Sequence, residues 1–465
     1  MRMRFFCSFV LAIVILGLAF ENSARAQSFS VLYNFGTNGG DPKFPGYEGI
    51  IAQGRDGNLY STAPWGGSIP NNGAIFRVTP RGTLSVLYNF DKTHGAVPSS
   101  GLTLGTDGNF YGTTQLGGTY GWGTVFKATP SGKLTVMYNF TNGADGGLPY
   151  APPIEGTDGN FYGTTFGGGG QNGGTMYKIT PSGKFSQLYQ FEKSQGIWPY
   201  APVVQGADGN FYGTTSIGGT NGDGVVFRIT PAGKFTLLYS FDGMHGTRPN
   251  GPLVQGSDGN FYGTTTLGGN FNWGVVFKIT ANGRLTVLHN MNKTTDGGVP
   301  IAGLVQATDG NLYGMNSDEG TGINHGTIFK ISPKSPYNYS VLYDYSGTEG
   351  YSPEVTLLQH TSGILYGDNY SGGAAAYGTF FSFNLGLKPF VNLLPTSGKV
   401  GKTIGILGQG FKGTTGVSFN GTPATFAVIS GTYLTAKVPS GATSGFVTVT
   451  TPKGKLKSNK KFRVI

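Results

Sequence analysis

Apolar residues come in short bursts along this chain, and the bursts recur at a fixed spacing. Asp-Gly-Asn-Phe-Tyr-Gly-Thr-Thr stands at 107–114, 158–165, 208–215 and 258–265, with looser copies around Asp56, Asp309 and Ser362, the copies lying 50 to 53 residues apart. A second run, of the type Val86-Leu87-Tyr88-Asn89-Phe90, occurs seven times from Phe29–Phe35 onward. A third, of the type Val275-Val276-Phe277, also occurs seven times. Runs of four to seven residues rich in β-branched and aromatic side chains, separated by turn residues, predict strands rather than helices. In the fifth unit they are Pro252–Gly256, Asn260–Thr265, Val275–Thr280 and Leu285–Met291, which we call strands a, b, c and d. Asp258-Gly259 suits the tight a–b turn and Ala281-Asn282-Gly283 the c–d turn, because Asp, Asn and Gly tolerate the positive φ that such turns need.

The phase of the units extends the prediction. The chain begins its repeats with a lone d strand, Phe29–Phe35, and ends them with a, b and c only, up to Asn384. Strands b and c are apolar on both faces and need neighbours on both sides. Together these features predict an all-β fold: a seven-bladed β-propeller at 27–384, closed by a 3+1 seam. An open solenoid is the alternative architecture, with a period that is normally shorter. After Leu385 the repeats stop. Ile404–Leu407, Val417–Phe419, Tyr433–Val438, Phe446–Thr450 and Lys461–Val464 then predict a small immunoglobulin-like β-sandwich at 385–465.

Composition adds compartment and charge. Residues 1–26 carry Arg2 and Arg4, an apolar run from Phe5 to Phe20 and Ala24-Arg25-Ala26. That order reads as a signal peptide cleaved before Gln27, the alternative being an uncleaved anchor. The expected mature chain is exported, to the cell surface, the periplasm or the medium, and has no transmembrane segment. Cys7 is the only cysteine, so no disulfide is expected and packing alone must hold the fold. From Leu385 onward there are eleven Lys or Arg and no Asp or Glu. An exported basic tail points to an anionic cell-envelope polymer rather than to nucleic acid, and a solvated basic surface is the plainer reading.

Two resemblances rest on these residues. The unit Asp-Gly-Asn-Phe-Tyr-Gly-Thr-Thr, Gly-Gly, Gly-x-Val-Phe-Lys-Ile-Thr-Pro, Leu-Tyr-x-Phe resembles the GloVer-type tandem repeats of exported bacterial proteins. That resemblance implies a surface or extracellular location and no established activity. The regulator propeller repeats of bacterial hybrid sensors are similar more loosely, with Trp where Tyr stands here. The tail resembles an IPT/TIG domain through Pro395-Thr396-Ser397-Gly398, Gly408-Gln409-Gly410-Phe411, Val417–Gly421 and Val438–Gly441, which implies a spacer or accessory module.

Candidate chemistry comes from comparing the units with one another. The a–b and c–d turns share one face of the ring and scarcely differ; the b–c loops and d–a crossings share the other and differ greatly. Trp65, Trp122 and Trp273 fall in b–c loops and Trp198 in a crossing, with Tyr47, Tyr120, Tyr150, Tyr200, Phe271 and Tyr351 beside them. Exposed aromatic rings there are suited to stacking on sugars, whereas capping of blade tops is the structural alternative. The ligand candidates are thus Trp65, Trp122, Trp198, Trp273, Tyr150 and Tyr200. Asp318, Glu319 and His325 share one atypical loop and are the catalytic candidates, against a reading as solvated loop residues. His94 and His245 recur at one unit position but belong to separate units, and the Asp-Gly-Asn segments lack the alternating acids of calcium loops. No metal and no cofactor is therefore expected. The functional expectation is a non-catalytic, monomeric binding or surface protein recognising glycans; the alternatives are a propeller enzyme such as a polysaccharide or lactone lyase, and a purely structural surface protein.

Overall fold

The computed structural model describes residues 27–46, 49–69, 71–318 and 325–465; the signal-peptide assignment, Tyr47 and Glu319 lie outside them. Among the described residues, 27–384 form seven four-stranded antiparallel sheets in the manner of propeller blades. In the fifth the strands are Val254–Gln255, Phe261–Thr265, Val275–Ile279 and Leu285–Asn290, paired in that order. Strand a is hydrogen-bonded over only two residues, shorter than Pro252–Gly256. Every c–d pair in the first six sheets carries a register shift, in the fifth between Val276 and Phe277. Such a bulge sharpens the local twist.

Each recurring residue has a packing job. Strands b and c are buried, apart from the Arg or Lys of strand c. The Phe-Tyr pair of strand b joins sheets: Tyr60 stacks on Phe110, Tyr111 on Phe161 and Tyr212 on Phe261, with ring centroids 4.1, 3.7 and 4.0 Å apart. Contacts of this kind add to the area they bury. The mid-strand glycine makes room for strand c: a Cβ on Gly263 would lie 2.7 Å from the Phe277 ring. The a–b turn is a hydrogen-bond hub. Asp258 accepts from the Asn260 backbone N–H at 3.2 Å, its side-chain amide at 2.7 Å and the Tyr262 hydroxyl at 2.7 Å. These bonds hold Asp258 below the usual carboxylate range against the opposing effect of burial. The two strand-c arginines act on the Tyr hydroxyls of their own hubs, Arg77 on Tyr60 and Arg228 on Tyr212.

Sheets are also stitched by backbone and amide groups. The Gln255 side chain accepts from Ala207 N–H, Gln306 from Ser257 N–H and Gln359 from Thr308 N–H. The same clasp joins Gln53 to Thr361, across 308 positions of sequence. Ser28–Asn34 pairs antiparallel with Thr379–Asn384. The residue before each recurring proline is left-handed in every unit: Phe44, Val97, Leu148, Trp198, Arg248, Val299 and Ser352 have φ between 52° and 64°. For a β-branched residue such as Val97 this costs on the order of 1–3 kcal/mol. It persists because Val97, Leu148, Trp198, Arg248 and Val299 are pinned on both sides, as where Trp198 N–H donates to Gly173 and its carbonyl accepts from Ser216.

The tail forms two sheets around Val391, Ile406, Phe411, Leu434, Val447 and Phe462. It sits on the face of the a–b turns. Thr432 donates to the Arg55 carbonyl at 2.7 Å, Gln409 to Thr361 at 3.0 Å, and Phe390 N–H to the Thr361 carbonyl at 3.0 Å. Arg55 lies 4.5 Å over the Tyr433 ring, and Arg463 donates to the Ala207 carbonyl. The tail thus contacts the first, fourth and seventh sheets.

Candidate functional site

The opposite face holds a cavity of about 480 Å³ where the seventh sheet meets the first. Three segments build it: the crossing at 36–44, the loop that follows strand b of the first sheet at Trp65–Gly67 and Asn71, and Tyr377 from the seventh. Pro42–Lys43 pairs with Trp65–Gly66, which sets Lys43 directly opposite Trp65. Elsewhere the matching positions make a single bridge, as at Ala96–Leu116, Gly147–Gly167 and Ile197–Ile217. The first unit alone places a Lys opposite a Trp there.

Aromatic rings form the wall. Phe44 meets Tyr377 edge-on at 5.3 Å and Tyr370 at 5.1 Å, and Lys43 Nζ sits 4.0 Å over the Tyr377 ring. Asp41 is nearly buried, and its carboxylate is occupied by Asn38 N–H at 2.9 Å and the Tyr33 hydroxyl at 2.8 Å. Burial, then that bond to Asp41, pushes the Tyr33 hydroxyl up. The groove therefore offers half-buried Trp65 and Tyr377, a lysine, side-chain amides and glycine backbone. That mixture of apolar rings and few polar groups is typical of small-molecule and sugar sites.

Behind this wall lies a buried acid pair. Asp368 stands on strand b where other units have Thr113 or Thr264, whose hydroxyls donate to the carbonyls of Ala151 and Ala302. It faces Gly46, where a Cβ would lie 2.7 Å from its carboxyl. Both Asp368 oxygens and one of Glu354 lack a hydrogen-bond partner. Burial pushes Glu354 up to about 8, and burial together with the charge of Glu354 pushes Asp368 well above its ordinary value. Tyr370 links pair and groove: it is raised by burial and by Glu354, against a hydrogen bond with Trp65.

The sequence-predicted residues do not converge on one pocket. Trp65 lines the groove. Tyr150, Trp198 and Tyr200 gather around Phe166, with centroids 4.9–5.2 Å from it. Trp122 is 39% exposed in its own loop. Trp273 carries Lys293 4.6 Å over its ring and Gly298 close against it. Asp318 pairs through its backbone with Gly298, and His325 packs on Gly347 and edge-on to Tyr351 at 5.7 Å. His94 and His245 each bond their own Asp, Asp91 and Asp242, at 2.7 Å. His289 takes the place of a strand-d Tyr, stacking on Tyr339 at 3.8 Å and bonding Asp296 at 2.8 Å. Among the described residues no three His, Cys, Asp or Glu gather as for a metal. Lys43, Phe44, Tyr377, Glu354 and Asp368 were missed. A signal was present only in part: Asp368 departs from the repeated Thr, and Pro45–Gln53 is two residues longer than Pro98–Leu104.

The Gloeobacter/Verrucomicrobia repeat matches residues 15–154, 45–257, 117–325 and 253–404. The chain belongs to this repeat family. Its last 75 or so residues, 390–464, match the IPT/TIG domain. No curated protein sequence matches the chain. Solved structures similar to this family member include a fungal alcohol oxidase of the AA5 family in complex with copper, at 16% identity and TM-score 0.49, covering 92% of this chain and all of that one. PorZ of Porphyromonas gingivalis, a bacterial surface component of the type-IX secretion system, is 15% identical with TM-score 0.48, covering 92% of this chain and 60% of its own. Hydrazine synthase of Kuenenia stuttgartiensis is 14% identical with TM-score 0.48, covering 75% and 98%. Likenesses at this level bear on neither ligand nor chemistry.

Proposed function

We propose that this repeat protein is an exported, monomeric, non-catalytic binding protein that recognises a glycan in the groove lined by Trp65 and Tyr377. The scaffold in this reading is a closed ring of seven blades, with Ser28–Asn34 completing the last blade as the 3+1 seam. The Gln53–Thr361 clasp and the bond from Phe44 N–H to the Tyr377 carbonyl support closure. The carrying observation is the groove itself, built where the first unit departs from its six companions. Tyr150, Trp198 and Tyr200 form a second aromatic station on the same face, suited to a longer chain, and exposed Trp122 offers a third contact. Among the described residues no helix is long and apolar enough to cross a membrane.

The test is a glycan array followed by titration of the best binder. Trp65→Ala is expected to weaken binding by about ten- to a hundredfold, the effect of losing one buried aromatic anchor. No binding across a broad array, or unchanged affinity in Trp65→Ala, would overturn the reading. A lyase or hydrolase is the second reading, favoured by one observation: burial pushes the Glu354 carboxyl up to about 8 beside Tyr370. Neither Glu354 nor Asp368 lines the cavity, so the binding reading stands first. Turnover of a bound glycan that Glu354→Gln abolishes would reverse that order.

A further inference from the structure

We infer that the outer face of the tail's five-stranded sheet is a second binding surface, for an anionic polysaccharide. The observation is one of register. Gly454–Val464 pairs with Gly445–Thr451 so that Lys455 lies opposite Thr450, Lys457 opposite Thr448 and Lys461 opposite Phe446. Val447 and Val449 are fully buried, so Phe446, Thr448 and Thr450 point to the other side of the sheet. Ser418, opposite Thr448 on the next strand, extends the same face. The three lysines are exposed.

This row is preorganised. Strand geometry sets Lys455 and Lys457 about 7 Å apart. A register shift between Phe446 and Thr448 brings Lys457 and Lys461 to one ring, with their Nζ atoms 3.8 and 5.9 Å from the Phe446 centroid. The tail has no Asp or Glu to offset the repulsion within the row. An extended polymer with one negative charge per sugar unit would neutralise it, and the Thr448, Thr450 and Ser418 hydroxyls are placed to meet sugar hydroxyls. A membrane surface fits less well, because the one ring in the row is already covered by two cations. Duplex nucleic acid fits less well, because the face is a flat sheet and groove readers insert a helix or ribbon. Arg463, at the end of the same strand, reaches the ring domain, so the row runs outward from that contact. The surface is independent of the groove and of the reading given to it.

The experiment titrates the full mature chain with heparin, with duplex DNA and with phosphatidylserine vesicles as comparison arms. Heparin is expected to bind best and to weaken as salt rises. Lys455→Gln/Lys457→Gln/Lys461→Gln together should lose at least about tenfold, in line with the effect of juxtamembrane lysines on anionic surfaces. Lys399→Gln/Lys437→Gln, which removes the same kind of charge from elsewhere on the tail, should lose little, and Trp65→Ala nothing. Unchanged thermal midpoints verify that the variants fold. Three results would each overturn the inference: no heparin binding, equal losses from both lysine sets, or tighter binding to DNA or vesicles than to heparin.

Discussion

The two faces of the repeats obey different rules. On the a–b turn face, Asp56, Asp107, Asp158, Asp208, Asp258 and Asp309 each accept from an Asn two residues on and a Tyr four residues on. The groups in each hub satisfy one another, and the tail covers part of this face. On the loop face the units diverge, and the junction of the seventh and first sheets diverges most. It has a longer crossing, a Lys–Trp pair and two buried acids with unpartnered carboxylate oxygens. Repetition therefore marks what the scaffold requires, and departure from it marks where chemistry has room.

The comparison can be broken in stability first. Phe35, directly after the lone first strand, is fully buried, so Phe35→Ala should cost about 3–5 kcal/mol, as much as Phe241→Ala at the end of an interior sheet's last strand. Denaturant melts of both variants check this, and a much smaller loss at Phe35 would mean that the first strand is not a working part of the last sheet.

The acid pair gives a pH signature. Glu354 has a folded-state pKa of about 8 against an ordinary 4.5, so the native state holds its proton more tightly than the unfolded chain. Its share of stability is complete below about pH 4.5 and is lost as pH rises through about 8, on the order of 5 kcal/mol in all. Thermal melts from pH 5 to 9 should show that decline, and Glu354→Gln should flatten it. A wild-type profile that rises over this range would contradict the buried pair.

Smaller effects sharpen the contrast. Asp258→Ala breaks one hub and should cost about 1–3 kcal/mol without changing glycan affinity. Arg55→Ala loses the contact with Tyr433 and should cost about 1 kcal/mol or less, while raising the rate of protease cleavage near Leu385–Pro389. Cleavage as slow as in the wild type would show that other contacts hold the tail.

The strands and turns were legible in sequence because seven copies average out local accident: the Asp-Gly-Asn hubs, strands b and c and most tail strands follow from period and turn chemistry alone. Lys453–Asn459 was not read as strand, since its alternation is of lysines rather than apolar residues, yet Gly454–Val464 is one continuous strand. The left-handed residue before each proline was invisible, because nothing in Val97-Pro98 or Trp198-Pro199 announces it and proline disfavours only the helical alternative. Trp65 was legible as a site candidate; its partners were not. Lys43 and Tyr377 lie far apart in sequence and meet only because the first and seventh sheets adjoin. Asp318, Glu319 and His325 stood out as loop chemistry, whereas the acids with displaced pKa sit inside strand b and the crossing, where a repeat-by-repeat comparison would have flagged them.

The most direct measurement of where the ligand binds is tryptophan fluorescence during titration with the best-binding glycan. Wild type is compared with Trp65→Phe, Trp122→Phe, Trp198→Phe and Trp273→Phe. The expected result is a ligand-dependent change that disappears in Trp65→Phe and persists in Trp122→Phe and Trp273→Phe, with at most partial loss in Trp198→Phe. A change that persists undiminished in Trp65→Phe would place the ligand elsewhere and contradict the seam as the functional site.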